Sequence, residues 1–236
     1  MKSFAKEIMV DFVSLFYPRY CFACNEGLAK GEETICSRCM LDLPRTHYHL
    51  EHDNALYKRL EGRIPLQFAL AFFLFRKGGK VQHLLHSLKY NNHPEIGITL
   101  GEVYGEELHE ANFSKEFDII LPVPLHVSRK RKRGYNQSEE FAKGLSHSLD
   151  LPTSGEVLER IVKTETQTRK TKLKRWENVN EVFQVKRPDL VSKRRILLVD
   201  DVITTGATIE ACANALLNVG CSSLSVASIA YAEEGK

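Results

Sequence analysis

No stretch of this 236-residue chain reaches about 18 uninterrupted apolar residues, so a membrane-spanning helix is not expected. No small-residue cleavage pattern follows the N-terminus, so a secretory leader is not expected either, and the chain is expected in the cytoplasm. The pattern G-x-x-x-x-G-K-[ST] is absent, which sets aside a P-loop nucleoside-triphosphate site. Nor does one charge dominate: 33 Lys and Arg face 30 Asp and Glu, a formal net charge of +3. The cations are unevenly spread, however, crowding at 129–133, 169–175 and 186–195. Such clusters suit a polyanionic ligand, either nucleotide-like or nucleic acid. With 43% hydrophobic residues there is ample material for a core. The length fits one α/β domain with a small appendage.

Residues 195–214, RILLVDDVITTGATIEACAN, organise the rest. Four apolar residues, Ile196 to Val199, suit a central strand buried on both faces. Asp200 and Asp201 follow, and then a small hydroxyl-rich turn, Thr204, Thr205, Gly206, Ala207 and Thr208. Ile209, Ala213, Leu216 and Leu217 recur at helical spacing, so a helix starts at or just after that turn. A strand, a tight turn and a helix N-terminus make a place for an anion, because unpaired N–H groups and the helix dipole both favour negative charge. Threonine hydroxyls add donors, and Gly206 permits close backbone approach. The carboxylates cannot bind a phosphate but can accept hydrogen bonds from sugar hydroxyls beside it. A phosphate next to a diol is a phosphorylated sugar.

The six cysteines fall into two groups. Cys21-x-x-Cys24 and Cys36-x-x-Cys39 are two knuckles able to close a tetrahedral zinc site. A site closed by four sulfurs is structural, and metal binding would supply folding energy to a segment too short to build a core. A disulfide framework fits a cytosolic chain poorly, and no thioredoxin-like βαβ pattern supports a redox pair. The module could scaffold or touch nucleic acid, and both remain open. His47, His49 and His52, just downstream, could replace one thiolate but are expected mostly on the surface. Cys212 and Cys221 are expected as inert buried thiols.

Along the rest of the chain, Phe4, Ile8, Phe12, Leu15 and Phe16 lie on one side of an N-terminal helix ended by Tyr17-Pro18. It could lie on a membrane surface, but docking on the body fits its sparse positive charge better. QFALAFFLF, 67–75, suits a buried strand, and helices are expected over 81–90 and about 96–108. DIILPVPL, 118–125, is a strand that Pro122 and Pro124 must end. The following HVSRKRKRGYNQ is expected as a loop carrying Arg129, Lys130, Arg131, Lys132 and Arg133, with Ser138 capping the next helix. A loop at that edge of a parallel sheet is where such folds bind ligands, although basic runs also serve nucleic acid or simply face solvent. A strand near 157–162 precedes a long polar, basic stretch that includes the single Trp176. Such a loop suits a lid over a bound anion. A short strand at 183–186 and LSVASIAY, 224–231, complete the set.

The run V-D-D-V-I-T-T-G-A-T resembles the phosphoribosyl-pyrophosphate (PRPP) signature of type I phosphoribosyltransferases. Together with the zinc knuckle, H-S-L-K-Y, P-V-P-L, R-G-Y-N-Q and a T-x-x-Q…R-x-x-N lid, it resembles the ComF/GntX family across nearly the whole chain. The lid elements are Thr164, Gln167, Arg175 and Asn178, and Arg169-Lys170 depart from the usual lid pattern. The resemblance implies an α/β chain with the type I phosphoribosyltransferase fold, a Rossmann-like parallel sheet with helices on both faces. An amphipathic helix at 1–18 and a zinc-binding module at 19–46 would precede a phosphoribosyltransferase domain at 47–236, with a lid at about 163–183. It implies that residues 204–208 hold the 5′-phosphate and that Asp200 and Asp201 face the ribose hydroxyls. Arg129, Arg131 and Arg133 would meet the pyrophosphate. The expected reaction displaces pyrophosphate from C1 of PRPP with Mg²⁺, toward an acceptor that no motif names. Asp200 or Asp201 could instead bind Mg²⁺ through water. The resemblance also implies a tie to DNA uptake, so the competing reading is a non-catalytic competence factor. That factor would bind single-stranded DNA or the uptake machinery and keep the PRPP fold as scaffold or sensor.

Overall fold

The computed structural model describes residues 18–161 and 183–233. All but the last residue of the N-terminal helix expected over 1–18, and the lid elements Thr164, Gln167, Arg175 and Asn178, lie outside the described residues.

Six strands form within them: β1 (Ala69–Leu74), β2 (Ile119–Pro122), β3 (Leu158–Arg160), β4 (Phe183–Val185), β5 (Arg195–Ile203) and β6 (Ser223–Tyr231). Four make one parallel sheet in the order β1-β6-β5-β2. The two β-rich runs at its centre, β5 and β6, are aligned from Arg195↔Ser223 to Ile203↔Tyr231. Side chains alternate across a strand, and β5 shows the consequence. Leu197 and Val199 join one core cluster with Leu84, Tyr104 and Phe141, whereas Ile196 and Leu198 join the opposite one with Leu60, Ile209 and Leu216. The expected parallel sheet covered on both faces is therefore what forms.

Seven helices follow the same logic: α1 (Ser37–Asp42), α2 (Ala55–Leu60), α3 (Lys80–Tyr90), α4 (Glu95–Glu110), α5 (Val127–Arg133), α6 (Gln137–Leu149) and α7 (Ala207–Val219). Helices α3, α4 and α6 cover one face, and α2 and α7 the other. Helices α4 and α6 cross at close quarters: a Cβ on Gly101 would land on the Phe141 carbonyl and one on Gly144 on that of Ile98. Among the described residues, no helix is long and apolar enough to cross a membrane.

The small β3–β4 ladder is antiparallel, pairing Arg160 with Phe183 at the two ends that flank 162–182. At the other side, the chain leaving the cysteine-rich segment runs antiparallel along edge strand β1: the Leu74 N–H donates to the Pro44 carbonyl (2.8 Å) and the Thr46 N–H to that of Phe72 (3.0 Å). Cys21, Cys36 and Cys39 are buried in the same cluster as Phe72, so this segment packs on the body.

Two local expectations are corrected. The basic stretch after β2 is a helix, α5, and not a loop. The His126 ring caps its start by accepting the Ser128 N–H (3.2 Å), and Gly134 ends it in the left-handed region at φ 83°. Ser138 does not cap α6, because the Asn136 side chain takes that place by accepting the Ser138 N–H (3.3 Å).

Candidate functional site

Strand β5 carries its apolar run on through both carboxylates and ends at Ile203, so Asp200 and Asp201 sit on rigid backbone at the strand's C-terminal end. The turn follows at once. Gly206 adopts φ 78°, in the left-handed region, and α7 begins at Ala207. A Cβ there would come 2.5 Å from Leu60 Cδ2, so α2 seats directly against the turn. Thr204, Thr205, Ala207 and Thr208 face solvent around a recess of about 30 Å³. The phosphate-sized partner such a turn suits would rest on its open rim. The Thr205 hydroxyl accepts the Ala207 N–H (3.4 Å), which fixes the first turn of the helix.

The two carboxylates differ in surroundings. Asp200 accepts the Ser138 hydroxyl (2.9 Å) and the Asp201 N–H (2.8 Å). Burial, and then the neighbouring charge of Asp201, push its carboxyl up to about 7, against the relief given by those two donors and Lys89. Asp201 instead pairs with Lys89 Nζ at 2.9 Å.

That lysine joins two halves. Lys89 also lines a cavity of about 640 Å³ with Tyr90, Asn92, Arg129, Arg131, Lys132 and Arg133, and Gly134. Arg133 is the ordered member of the basic set: its Nη1 donates to Gln137 Oε1 (2.7 Å) and its guanidinium lies 5.3 Å from the Tyr90 ring centre. Arg129, Arg131 and Lys132 are exposed. The R-G-Y-N-Q motif thus becomes a joint. The Tyr135 hydroxyl donates to the Leu88 carbonyl and the Asn136 amide to that of Val123 (2.9 Å), which fixes α5 against α3 and β2.

The turn and the carboxylate pair adjoin at the end of β5, and Lys89 links Asp201 to the cationic cavity lined by Arg129, Arg131 and Arg133. Three further residues that the sequence did not assign to the site take part. Lys89 bridges the cavity and Asp201, and Ser138 holds Asp200. Arg63 donates to the Thr205 carbonyl (2.6 Å) and to Glu210 (3.0 Å), bracing the turn from outside. H-S-L-K-Y was the one available signal for the first of these.

The four N-terminal cysteines form a second centre. Their sulfurs lie within 4.8 Å of one another, and Cys24 and Cys36 are 3.9 Å apart. A tetrahedral zinc with Zn–S of ~2.3 Å sets its sulfurs ~3.8 Å apart, so the donor set fits that ion. Backbone N–H groups point at the sulfurs, from Cys36 to Cys21 (3.3 Å) and from Cys39 to Cys36 (3.4 Å). Burial, with hydrogen bonds and charge from the other cysteines, pushes Cys39 up to about 12, while backbone N–H groups bring Cys21 down to about 7 despite its burial. Four thiolates cannot share this space without a cation. His47 and His52 are exposed as expected, but His49 is half-buried, which corrects its placement on the surface. Cys212 is buried as expected, whereas Cys221 is only half-buried, which corrects its placement, and burial raises both thiols.

Comparison with known proteins agrees with this arrangement. The phosphoribosyl transferase domain family matches residues 111–236. The DNA utilization protein YhgH of Escherichia coli (strain K12) is 30% identical over 227 residues, covering 90% of this chain and 96% of that protein. Competence protein F of Haemophilus influenzae is 27% identical over 230 residues, covering 92% and 99%. Competence protein ComFC of Bacillus subtilis is 25% identical over 203 residues, covering 86% and 79%. With its parallel sheet, its strand-end carboxylates and its cysteine cluster, the chain belongs to the phosphoribosyl transferase domain family, in the ComF/GntX branch whose relatives are named for competence and DNA utilization.

Proposed function

We propose that this protein binds PRPP at the end of β5 and displaces its pyrophosphate toward an acceptor nucleophile. The observation that carries this reading is the Lys89–Asp201 pair, which links the carboxylates and turn to the cationic cavity at a single residue. PRPP has matching parts: a 5′-phosphate for residues 204–208, a diol for Asp200 and Asp201, and a pyrophosphate for Arg129, Arg131 and Arg133.

Breaking the bond from C1 to pyrophosphate leaves positive charge on the ribose ring and negative charge on the departing group. Fixed cations around the leaving group stabilise that separation, and a pre-oriented acceptor supplies the remainder. No side-chain nucleophile is required. Magnesium, bound with PRPP, would neutralise the leaving group, with Asp201 or Asp200 the residues placed to hold it through water. Residues 163–183, with Thr164, Gln167, Arg175 and Asn178, would close over the anion from the β3–β4 ladder. The cysteine cluster would hold one structural zinc.

Titration calorimetry with Mg²⁺ and PRPP tests the reading. One site per chain is expected, lost in Asp200→Asn/Asp201→Asn. Release of pyrophosphate across a panel of bases and amines then tests catalysis. The names of the relatives, competence and DNA utilization, favour one second reading, a non-catalytic role on single-stranded DNA. DNA binding with a steep salt dependence, together with no PRPP binding, would replace the enzyme reading with that one.

A further inference from the structure

Immediately after the cysteine-rich segment, a short turn and helix α4 bring together a second set of donors. His47, His49 and Glu107 each offer one ligand atom, and these atoms lie within 4.8 Å of one another. We propose that His47, His49 and Glu107 form a second divalent-metal site, built of nitrogen and oxygen donors and suited to zinc or a neighbouring first-row transition ion. Its role would be to pin the chain leaving the cysteine cluster to the middle of the fold.

Unpaired buried atoms give the independent support. His49 Nδ1 and the Tyr104 hydroxyl are buried without a hydrogen-bond partner, on rings whose centres lie 6.2 Å apart. Buried polar atoms are nearly always satisfied, and a group of orphans in one place calls for a missing partner. Glu107 does have an ionic neighbour, the Arg45 guanidinium at Oε1. An outer-shell cation on a ligating carboxylate is a common way to fix its orientation. The His-x-His spacing brings both rings to the same side, with centres 6.1 Å apart. Two imidazoles and a carboxylate suit zinc, nickel, cobalt or iron, whereas the four-sulfur centre is softer. At bond lengths of ~2.0 Å the donor atoms of a tetrahedral site lie ~3.3 Å apart, so only a modest inward shift is needed.

Cobalt distinguishes the two centres because only thiolates give the intense sulfur-to-cobalt charge-transfer absorption. Metal-free full-length protein, kept reduced, is titrated with Co²⁺. The first equivalent should build that band. A second should add only weak ligand-field absorption and raise Tm further. His47→Gln, at an exposed position, and Glu107→Gln should each retain the first equivalent and lose the second. Saturation at one equivalent overturns the proposal, and so does a second equivalent that survives in both variants. A water molecule alone among these residues would give the first of those results.

Discussion

Asp200→Asn should make the protein more stable and less able to bind, and the pH dependence tells why. The side chain is held among Ser138, Asp201 and the sheet, and its carboxyl keeps a proton up to about 7. In the unfolded chain the same carboxyl loses its proton near ~4. Between those values the folded state binds a proton that the unfolded state has released, so stability falls as pH rises through that window and levels off above it. At ~1.4 kcal/mol for each tenfold change, the full difference is about 4 kcal/mol. A half-buried group beside Lys89 realises part of that, on the order of 2–4 kcal/mol. Asparagine has nearly the same shape and keeps an oxygen for the Ser138 hydroxyl and the Asp201 N–H, but does not titrate. Wild type and variant should therefore unfold alike near about pH 4, diverge as pH rises toward ~7 and differ by a constant amount above it, with the variant's urea midpoint higher by ~1 M. The measurement is urea unfolding at constant zinc across that range. If the proposed ribose contact needs the ionised carboxylate, PRPP affinity of the wild type should also drop up to about tenfold per pH unit below ~7. Equal stabilities at high pH, or a less stable variant, would refute the claim that the fold holds this carboxylate at a cost.

Other outcomes follow from the same geometry. Gly206→Ala should lose about 1–3 kcal/mol from left-handed backbone and overpacking against Leu60, seen as a lower Tm, and the same substitution should cost less when made in a Leu60→Ala background. Lys89→Met should leave the fold intact by circular dichroism yet weaken PRPP binding at least tenfold by calorimetry, because one residue serves both halves of the proposed site. Cys39→Ser, or a strong chelator under reducing conditions, should release one zinc from the sulfur cluster in a colorimetric assay and lower Tm sharply.

Much of this arrangement was legible in order along the chain. The apolar run 196–199 needed burial on both faces, and the sheet places it centrally with helices on each side. Cys21, Cys24, Cys36 and Cys39 had the spacing of a closed four-sulfur site, and their sulfurs lie within 4.8 Å of one another. What escaped was set by tertiary contact. Basic residues 129–133 look like a loop because charge obscures helical periodicity, and only the His126 cap and the Gly134 stop reveal α5. Ser138 lies inside the first turn of α6, which starts one residue earlier, so Asn136 is the cap and the serine hydroxyl is left for Asp200. Lys89 and Arg63 are ordinary surface cations by sequence, and their partners Asp201 and Thr205 lie far along the chain.

The pairing of residues 44–46 with β1 carries a consequence for how the protein fails. An uncovered sheet margin is a template on which a second molecule can add its own strand, and β1, AFFL at its core, is apolar and aromatic. The stretch that shields it is tethered at its start by the four cysteines. Stripping the metal would therefore expose a self-complementary seam as well as loosening a small module. Metal-starved protein should precipitate as intermolecular β-structure, at a rate rising with concentration, before the central strands have melted.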